Sequence, residues 1–284
     1  MAGPFAPLQD LLQPPLWELA AAALGLIVGS FANVCIHRIP LGQSIGSPPS
    51  RCPGCGARIR PWDNVPVLSY LWLRGRCRNC GTRISPRYPL VEVANAAGYW
   101  GVAVVYGPTP VAAVGMALFT ALLVLSLIDL DQQILPDVLT KPGILVGIAA
   151  SLGIHRWWPA AATQGVVGGV SWWDAPAAAA AGYAVFAAIA WAGRKYYGQE
   201  ALGRGDWKLA AMLGAFLGFK GLLATVFIGS LLGAVVGVGL VVLGRTGWKA
   251  RIPFGTFLGL AGIVVVLAGQ PIWAWYQAFF ERAP

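Results

Sequence analysis

Apolar stretches separated by short polar or glycine- and proline-rich segments recur along most of this 284-residue chain. An α-helix needs about 20 apolar residues to cross the ~30 Å hydrocarbon core of a bilayer, and most of these stretches approach that length. Eight spans are predicted, at residues 16–36, 90–106, 110–128, 138–154, 177–192, 209–219, 222–243 and 254–273. The sixth span is short, and only Lys220 and Gly221 separate it from the seventh. The pattern predicts an all-α polytopic membrane protein with about eight transmembrane helices.

The segment 41–87 interrupts this pattern after the first span. It is rich in proline, glycine, arginine and cysteine, and no long helical period runs through it. A segment of fewer than about fifty residues buries little apolar core, so it usually depends on a disulfide or a bound metal. We therefore predict three parts: residues 1–40 with the first helix and its flanks, residues 41–88 as a small insertion, and residues 89–284 as a transmembrane domain.

Composition supports the membrane interpretation and excludes two other classes of protein. Hydrophobic residues make up 57% of the chain and charged residues 11%, whereas soluble domains carry about 25% charged residues. So little charge suits neither a soluble globule nor a disordered chain. The net charge is nevertheless +9, from 20 Lys and Arg against 11 Asp and Glu. A basic balance of this kind is also found in proteins that bind nucleic acids.

The distribution of the positive charges decides between these interpretations. With the N-terminus outside, the alternating spans place seventeen of the twenty Lys and Arg on the inner side and only Arg156, Lys220 and Arg282 on the outer side. Cytoplasmic loops of membrane proteins carry such an excess of Lys and Arg. We predict a multi-pass membrane protein whose insertion faces the cytosol, with no nucleic acid as a partner.

Four of the five cysteines form two C-x-x-C motifs in the insertion. Cys52-Pro-Gly-Cys55 and Cys77-Arg-Asn-Cys80 are separated by 21 residues, close to the zinc-ribbon spacing. Four thiolates would form a closed tetrahedral shell around structural Zn²⁺. Two disulfides are the alternative, which the predicted cytosolic location disfavours, and an iron–sulfur centre could use the same ligands. Cys35 has no partner in the sequence pattern and is expected to be a small packing residue.

Eleven acidic residues are few enough to assess individually, and two of them stand apart. Asp129 ends the third span, where the helix dipole disfavours negative charge, and ionisable groups within membrane helices are candidates for function. Asp206 lies in Gly203-Arg-Gly-Asp206 at the start of the sixth span, where it could alternatively be a helix N-cap. Both carboxylates are predicted at the inner membrane face, on different helices.

The other acids have structural interpretations. Asp137 follows Pro136 and precedes an apolar run, as a helix N-cap does. Asp131 would face away from Asp129 on a continuing helix, towards headgroups or an arginine, and Glu92 is near enough to the surface to reach water or an arginine. The remaining acids are expected in loops or at span ends, in contact with solvent: Asp10, Glu18, Asp63, Asp174, Glu200 and Glu281.

Two carboxylates beside a low-dielectric membrane can share one proton, because both do not readily ionise together. The ionised partner can then activate water as a general base while the protonated partner polarises a peptide carbonyl. His37 and His155 are predicted on opposite faces, which disfavours a Ser–His site, and no phosphate-binding glycine motif is present. Asp129 and Asp206 are therefore the candidate catalytic residues. A membrane transporter with an Asp proton relay is the alternative function, and a non-enzymatic assembly scaffold is another.

Several motifs occur together, in order, along almost the whole chain. They are Gly29-Ser-Phe-Ala-Asn33-Val, His37-Arg-Ile-Pro40, the two cysteine motifs, Arg60-Pro-Trp-Asp-Asn64-Val-Pro-Val-Leu-Ser-Tyr70, Arg87-Tyr-Pro-Leu-Val-Glu92, Ile128-Asp129, Leu135-Pro-Asp137-Val-Leu-Thr140, Gly203-Arg-Gly-Asp206-Trp-Lys208-Leu and Ile252-Pro-Phe-Gly255. This set resembles the prepilin peptidase family, the type IV leader peptidases of the GxGD class of aspartic peptidases. One departure is Ala32, where many members carry leucine.

The resemblance implies two activities at the bacterial inner membrane. Members cleave the leader of type IV prepilins and pseudopilins after a glycine at the cytoplasmic face, and then N-methylate the new N-terminal residue, usually phenylalanine, with S-adenosylmethionine. The family's catalytic aspartates map onto Asp129 and Asp206, a choice over Asp131 and Asp137 that spacing alone leaves open. Residues 89–284 would then form the peptidase domain. Some members lack the cysteines, which is consistent with zinc holding the insertion rather than cutting peptide.

The sequence has no recognisable cofactor motif for methyl transfer, so no individual residue is predicted to bind S-adenosylmethionine. The segment 37–89 and the Gly29–Asn33 segment are its expected surroundings. Prepilins, pseudopilins and membrane lipid are the expected partners.

Overall fold

The structure is a computed structural model, and it describes residues 13–159, 172–198, 202–245, 247 and 252–281. These residues contain eight α-helices: α1 (Leu16–Arg38), α2 (Leu68–Trp72), α3 (Arg87–Tyr106), α4 (Pro110–Gln132), α5 (Asp137–Trp157), α6 (Asp174–Tyr197), α7 (Arg204–Val242) and α8 (Phe254–Glu281). A 3-10 helix covers Pro61–Asn64, and two isolated antiparallel bridges lie in the insertion. The predicted all-α fold class is confirmed. Lys249, Arg251 and Arg282 of the charge distribution lie outside the described residues.

Six helices in the described part of the chain are long and apolar enough to cross a membrane. They are α1, α4, α5, α6, α7 and α8. The α3 helix covers the second predicted span, but it carries Arg87, Glu92 and Asn95 and does not belong to these six.

The α7 helix combines the sixth and seventh predicted spans. Its 39 residues would extend ~58 Å as one straight helix, almost twice the thickness of the hydrocarbon core. The backbone leaves the helical region at Gly218, where φ is 66° and ψ is −173°, a conformation open to glycine. The amide of Phe219 next to this break donates to Asp174 Oδ1 at 3.3 Å. Asp174 was expected at a span end in contact with solvent; it is the first residue of α6 and half-buried, and it also accepts this amide.

The chain divides into two compact units after Pro108. In the first unit α1 packs along α3, and side-chain amides join the two helices. Asn95 donates to the carbonyl of Gly25 at 2.9 Å, and Asn33 donates to the carbonyl of Tyr88 at 3.0 Å. Asn33 belongs to one of the recognised motifs, and its side chain joins α1 to α3.

In the second unit α7 packs against α5, α6 and α8, and α8 also packs against α4. The centre of this bundle is filled by fully buried aliphatic side chains, among them Leu122, Leu125, Ile128, Leu213, Leu217 and Leu258. Contacts across the bundle bring the C-terminal end of α4 to the N-terminal ends of α7 and α8.

Candidate active site and metal centre

Asp129 lies in the last turn of α4 and is only 5% exposed. Its Oδ2 atom accepts a hydrogen bond from the Thr256 backbone amide at 2.6 Å and lies 3.0 Å from the Thr256 hydroxyl. Thr256 is in the first turn of α8, where amides have no partner within the helix and the dipole favours negative charge. The unfavourable position of Asp129 at the end of α4 is therefore compensated by the start of α8.

Asp206 lies in the first turn of α7 and is 8% exposed. Its Oδ2 atom accepts the backbone amide of Gly203 at 3.0 Å, so the carboxylate caps its own helix from the third helical position. Gly203 occupies the N-cap position, so the alternative of Asp206 as the N-cap was wrong, although Asp206 does accept the amide of the N-cap residue. Asp129 is close enough to act electrostatically on Asp206. The structure therefore brings together the two acids that the sequence singled out.

Leu135, in the loop after α4, packs between the N-terminal ends of α7 and α8. A β-carbon at Gly205 would lie 2.7 Å from Leu135 Cβ. A β-carbon at Gly255 would lie 2.7 Å from Leu135 Cδ1 and 3.0 Å from Asp129 Oδ2. Only a residue without a side chain allows these close approaches. The second glycine of the Gly203-Arg-Gly-Asp206 motif is thus required by packing next to Asp206.

The two neighbouring acids are placed differently. Asp131 is exposed. Asp137 is the first residue of α5, Pro136 occupies the cap position, and no side-chain cap hydrogen bond forms there. Asp137 instead pairs with Lys141 at 2.8 Å and with Lys208 of α7. The prediction of an N-cap was therefore wrong, and Asp137 joins α5 to the helix that carries Asp206.

Glu92 in α3 contacts the insertion rather than water or an arginine, contrary to expectation. It is 8% exposed, and its Oε2 atom accepts the amide of Val67 at 2.8 Å. Val67 has φ 62° and ψ −50°, and the amide of Leu68 donates to the carbonyl of Pro66 at 2.6 Å. This is a γ-turn with positive φ, which is rare and strained for a β-branched residue. Glu92 thus holds a strained turn of the insertion against α3.

The four cysteines of the insertion converge as predicted. Their Sγ atoms all lie within 4.8 Å of one another, and Cys52 Sγ and Cys80 Sγ are 3.8 Å apart. Each motif closes with the same turn, in which the glycine amide donates to the first cysteine's carbonyl: Gly56 to Cys52 at 2.8 Å and Gly81 to Cys77 at 3.0 Å. Both glycines have positive φ, at 69° and 71°. Such a cluster could hold a metal ion.

Two polar contacts support this cluster. The Thr82 hydroxyl lies 3.1 Å from Cys80 Sγ, and hydrogen bonds from Thr82 lower the pKa of the Cys80 thiol to about 6. Arg78, within the second motif, donates to both oxygens of Asp63 at 2.6 and 2.9 Å, and this lowers the pKa of the Asp63 carboxyl. Asp63 was expected to be solvated, but it joins the 3-10 helix to the second cysteine motif.

Three contact residues of the candidate site were not identified from the sequence: Leu135, Lys208 and Thr256. Leu135 and Lys208 lie within recognised motifs, and Thr256 directly follows one. The motifs therefore indicated where these residues lie in the sequence, but not which groups their side chains contact. Among the other acids considered above, Asp10 and Glu200 lie outside the described residues.

Two protein-family models match the chain. Residues 23–106 match the bacterial peptidase A24 N-terminal domain, and residues 116–238 match the type IV leader peptidase family. No solved structure matches the chain.

Curated proteins named prepilin leader peptidase/N-methyltransferase are similar over most of the chain. The protein from Myxococcus xanthus is 42% identical over 79% of this chain and 63% of its own length. The protein from Pseudomonas putida is 40% identical over 81% of this chain and 83% of its own length. The protein from Aeromonas hydrophila is 37% identical, and the match covers 94% of this chain and 96% of its own.

Proposed function

This chain belongs to the type IV leader peptidase family, and from that premise we propose that it cleaves the leader peptide of type IV prepilins and pseudopilins after a glycine. We propose further that it N-methylates the new N-terminal residue, usually phenylalanine. The observation that carries the peptidase proposal is the pair of buried carboxylates, Asp129 and Asp206, supplied by different helices and interacting electrostatically. The names of the relatives support both activities.

In the proposed mechanism Asp129 and Asp206 share one proton. The ionised carboxylate takes a proton from water, whose oxygen attacks the scissile carbonyl carbon, and the protonated carboxyl donates to the carbonyl oxygen. The tetrahedral intermediate then collapses, and the leaving amine takes up the proton held by the general base. Burial of both side chains supports proton sharing, because a low-dielectric site disfavours two adjacent negative charges. The two Thr256 donors would keep Asp129 Oδ2 in place during these steps.

We propose that the catalytic acids and the insertion lie at the cytoplasmic face of the bacterial inner membrane, with the N-terminus outside. The support is the charge distribution, with seventeen of twenty Lys and Arg on one predicted side.

Arg74, Arg76 and Arg83 line a cleft of the insertion together with Tyr70 and Ser85. Guanidinium groups pair well with phosphate, so we propose anionic lipid headgroups as a partner of this basic surface. No nucleic acid is proposed as a partner.

The cysteine cluster is proposed to hold structural Zn²⁺ through Cys52, Cys55, Cys77 and Cys80. Tetrahedral zinc with bonds of ~2.3 Å requires sulfur atoms ~3.8 Å apart, and the Cys52–Cys80 separation is 3.8 Å. Four thiolates leave no coordination position for substrate. When bound, the metal would supply a cross-link between the two halves of the insertion.

Purified wild-type protein is therefore expected to contain about one zinc per chain, measured by elemental analysis. Cys52→Ser should lose most of this metal and make the insertion sensitive to protease. Cys35→Ser is the matched control, because Cys35 is buried in α1 and is not part of the cluster. A zinc content below about half an equivalent in the wild type would contradict the site. A folded Cys52→Ser protein that has lost all cleavage would contradict its purely structural role.

The proposed methyl donor is S-adenosylmethionine, and its chemistry is transfer of the methyl group to the new N-terminal amine. Support for the methyl-transfer activity is the name of the relatives, prepilin leader peptidase/N-methyltransferase, and none of the described residues is assigned to the donor. The measurement is transfer of labelled methyl to the processed pilin. An unlabelled N-terminal residue after complete cleavage would contradict the proposed methyltransferase activity.

The peptidase proposal is tested by cleavage in liposomes. Full-length wild-type protein is expected to convert a synthetic prepilin to the mature form, with the cut after the glycine established by mass spectrometry. An intact substrate in the presence of folded protein would contradict the proposal. Proton flux measured in the same liposomes distinguishes the transporter alternative, since a peptidase requires no flux to cleave.

A further inference from the structure

The Thr256 hydroxyl lies between two oxygen atoms in the second unit. It is 3.0 Å from Asp129 Oδ2 and 3.1 Å from the main-chain carbonyl of Ser126, one turn earlier on α4. Thr256 is 5% exposed, so bulk water is not available to replace either contact. Its backbone amide reaches the same carboxylate oxygen independently, at 2.6 Å.

A hydroxyl has one proton to donate and lone pairs that accept, whereas a main-chain carbonyl only accepts. When Asp129 is ionised, the hydroxyl donates to Oδ2. When Oδ2 carries a proton, the carboxyl donates to Thr256 Oγ1, and the threonine proton turns to the Ser126 carbonyl. The proton that Asp129 gains stays on its carboxyl, and the threonine keeps its own proton. One hydrogen bond reverses its direction, and the hydroxyl proton moves from Oδ2 to the Ser126 carbonyl. The buried carboxyl and hydroxyl therefore stay paired in both states, which avoids the cost of an unsatisfied buried group.

We propose that Thr256 is a positioning residue that keeps the Asp129 carboxyl in one orientation through both protonation states of the reaction. This inference rests on the proposed peptidase function, in which Asp129 gains or loses a proton in each turnover. The backbone amide alone does not provide this adaptation, because an N–H group can donate to Oδ2 but cannot accept a proton from it.

The test compares two substitutions in full-length protein reconstituted in liposomes. Thr256→Val keeps the shape and the backbone amide but removes the hydroxyl, whereas Thr256→Ser keeps the hydroxyl. Thr256→Val is expected to lower kcat by about 10- to 100-fold, with KM within about twofold, because substrate binding does not use this contact. Thr256→Ser is expected to keep kcat within about threefold of the wild type.

Thr225→Val is the matched control. Thr225 is also fully buried, but its hydroxyl donates to the Gly221 carbonyl within α7 at 2.7 Å. Wild-type kcat in Thr256→Val would overturn the inference. Equal losses in Thr256→Val and Thr256→Ser, or an effect on KM alone, would also overturn it, since the hydroxyl would then not be the group that matters. Failure of the wild type to cleave would instead refute the peptidase function itself.

Discussion

Asp129→Asn and Asp206→Asn are each expected to lower leader cleavage by about 10³- to 10⁴-fold. Asparagine keeps the size of the side chain and an oxygen that can accept the Thr256 or Gly203 amide. It can neither take a proton from water nor share one with the remaining carboxylate. The loss should therefore appear in kcat, while thermal stability and the amount of protein in the membrane stay close to those of the wild type. Initial rates on a synthetic prepilin in liposomes provide the measurement.

Asp131→Asn and Asp137→Asn are the matched controls for this experiment. Asp131 is exposed, and Asp137 pairs with two lysines rather than with the buried acids. Both variants should cleave within about threefold of the wild type, because partly exposed ion pairs contribute little. Full cleavage by either Asp129→Asn or Asp206→Asn would refute the shared-proton mechanism. A loss in Asp137→Asn as large as that in Asp129→Asn would show that the catalytic pair is wrongly assigned.

Gly205→Ala is expected to lower cleavage by about 10²-fold, without a change at either carboxylate. The new β-carbon would lie 2.7 Å from Leu135 Cβ, so either the start of α7 or the loop after α4 has to move. A displacement of about 1 Å in a catalytic group is enough for such a loss. Gly239→Ala on the same helix is the control, because a β-carbon there has nothing within 4 Å.

Adding Leu135→Ala to Gly205→Ala should restore little activity, since alanine keeps the β-carbon that makes the closest contact. Cleavage rates and melting temperatures of both proteins should be measured together. A Gly205→Ala protein with wild-type cleavage would show that Leu135 does not hold Asp206 in place. Full recovery by Leu135→Ala would place the clash at the distal leucine atoms instead.

Most of the helices could be predicted from the sequence, because each depends on local composition. Alternation of apolar stretches with polar segments marks the helices near their observed ends. The position at which α7 breaks was harder to predict from the sequence. The helix breaks at Gly218, just before the expected boundary at Lys220. The positive φ of Gly218 and the hydrogen bond from the Phe219 amide to Asp174 determine the position of the break.

Side-chain partners of the acids were the least predictable part. Asp63, Asp137, Asp174 and Glu92 all bind groups that the sequence did not indicate. Local sequence rules predict that Asp137, which follows a proline, is an N-cap. They do not include Lys208, which lies 71 residues later on another helix and pairs with Asp137. Asp137 therefore pairs with Lys141 one turn later and with the distant Lys208, instead of capping its helix.

The sequence by itself determined the membrane class, the cysteine cluster and the two candidate catalytic acids. The first two follow from residue type at short spacing: apolar runs long enough for a bilayer, and paired C-x-x-C motifs. Asp129 and Asp206 stood out as carboxylates where charge is costly, but the choice of Asp129 over Asp131 and Asp137 depended on the resemblance to a known family. Only the tertiary structure decided how Asp129 is held. Thr256 lies 127 residues away, and Leu135 separates two glycines that belong to different helices. Such contacts depend on how helices pack, and packing is set by many weak interactions that no short motif contains.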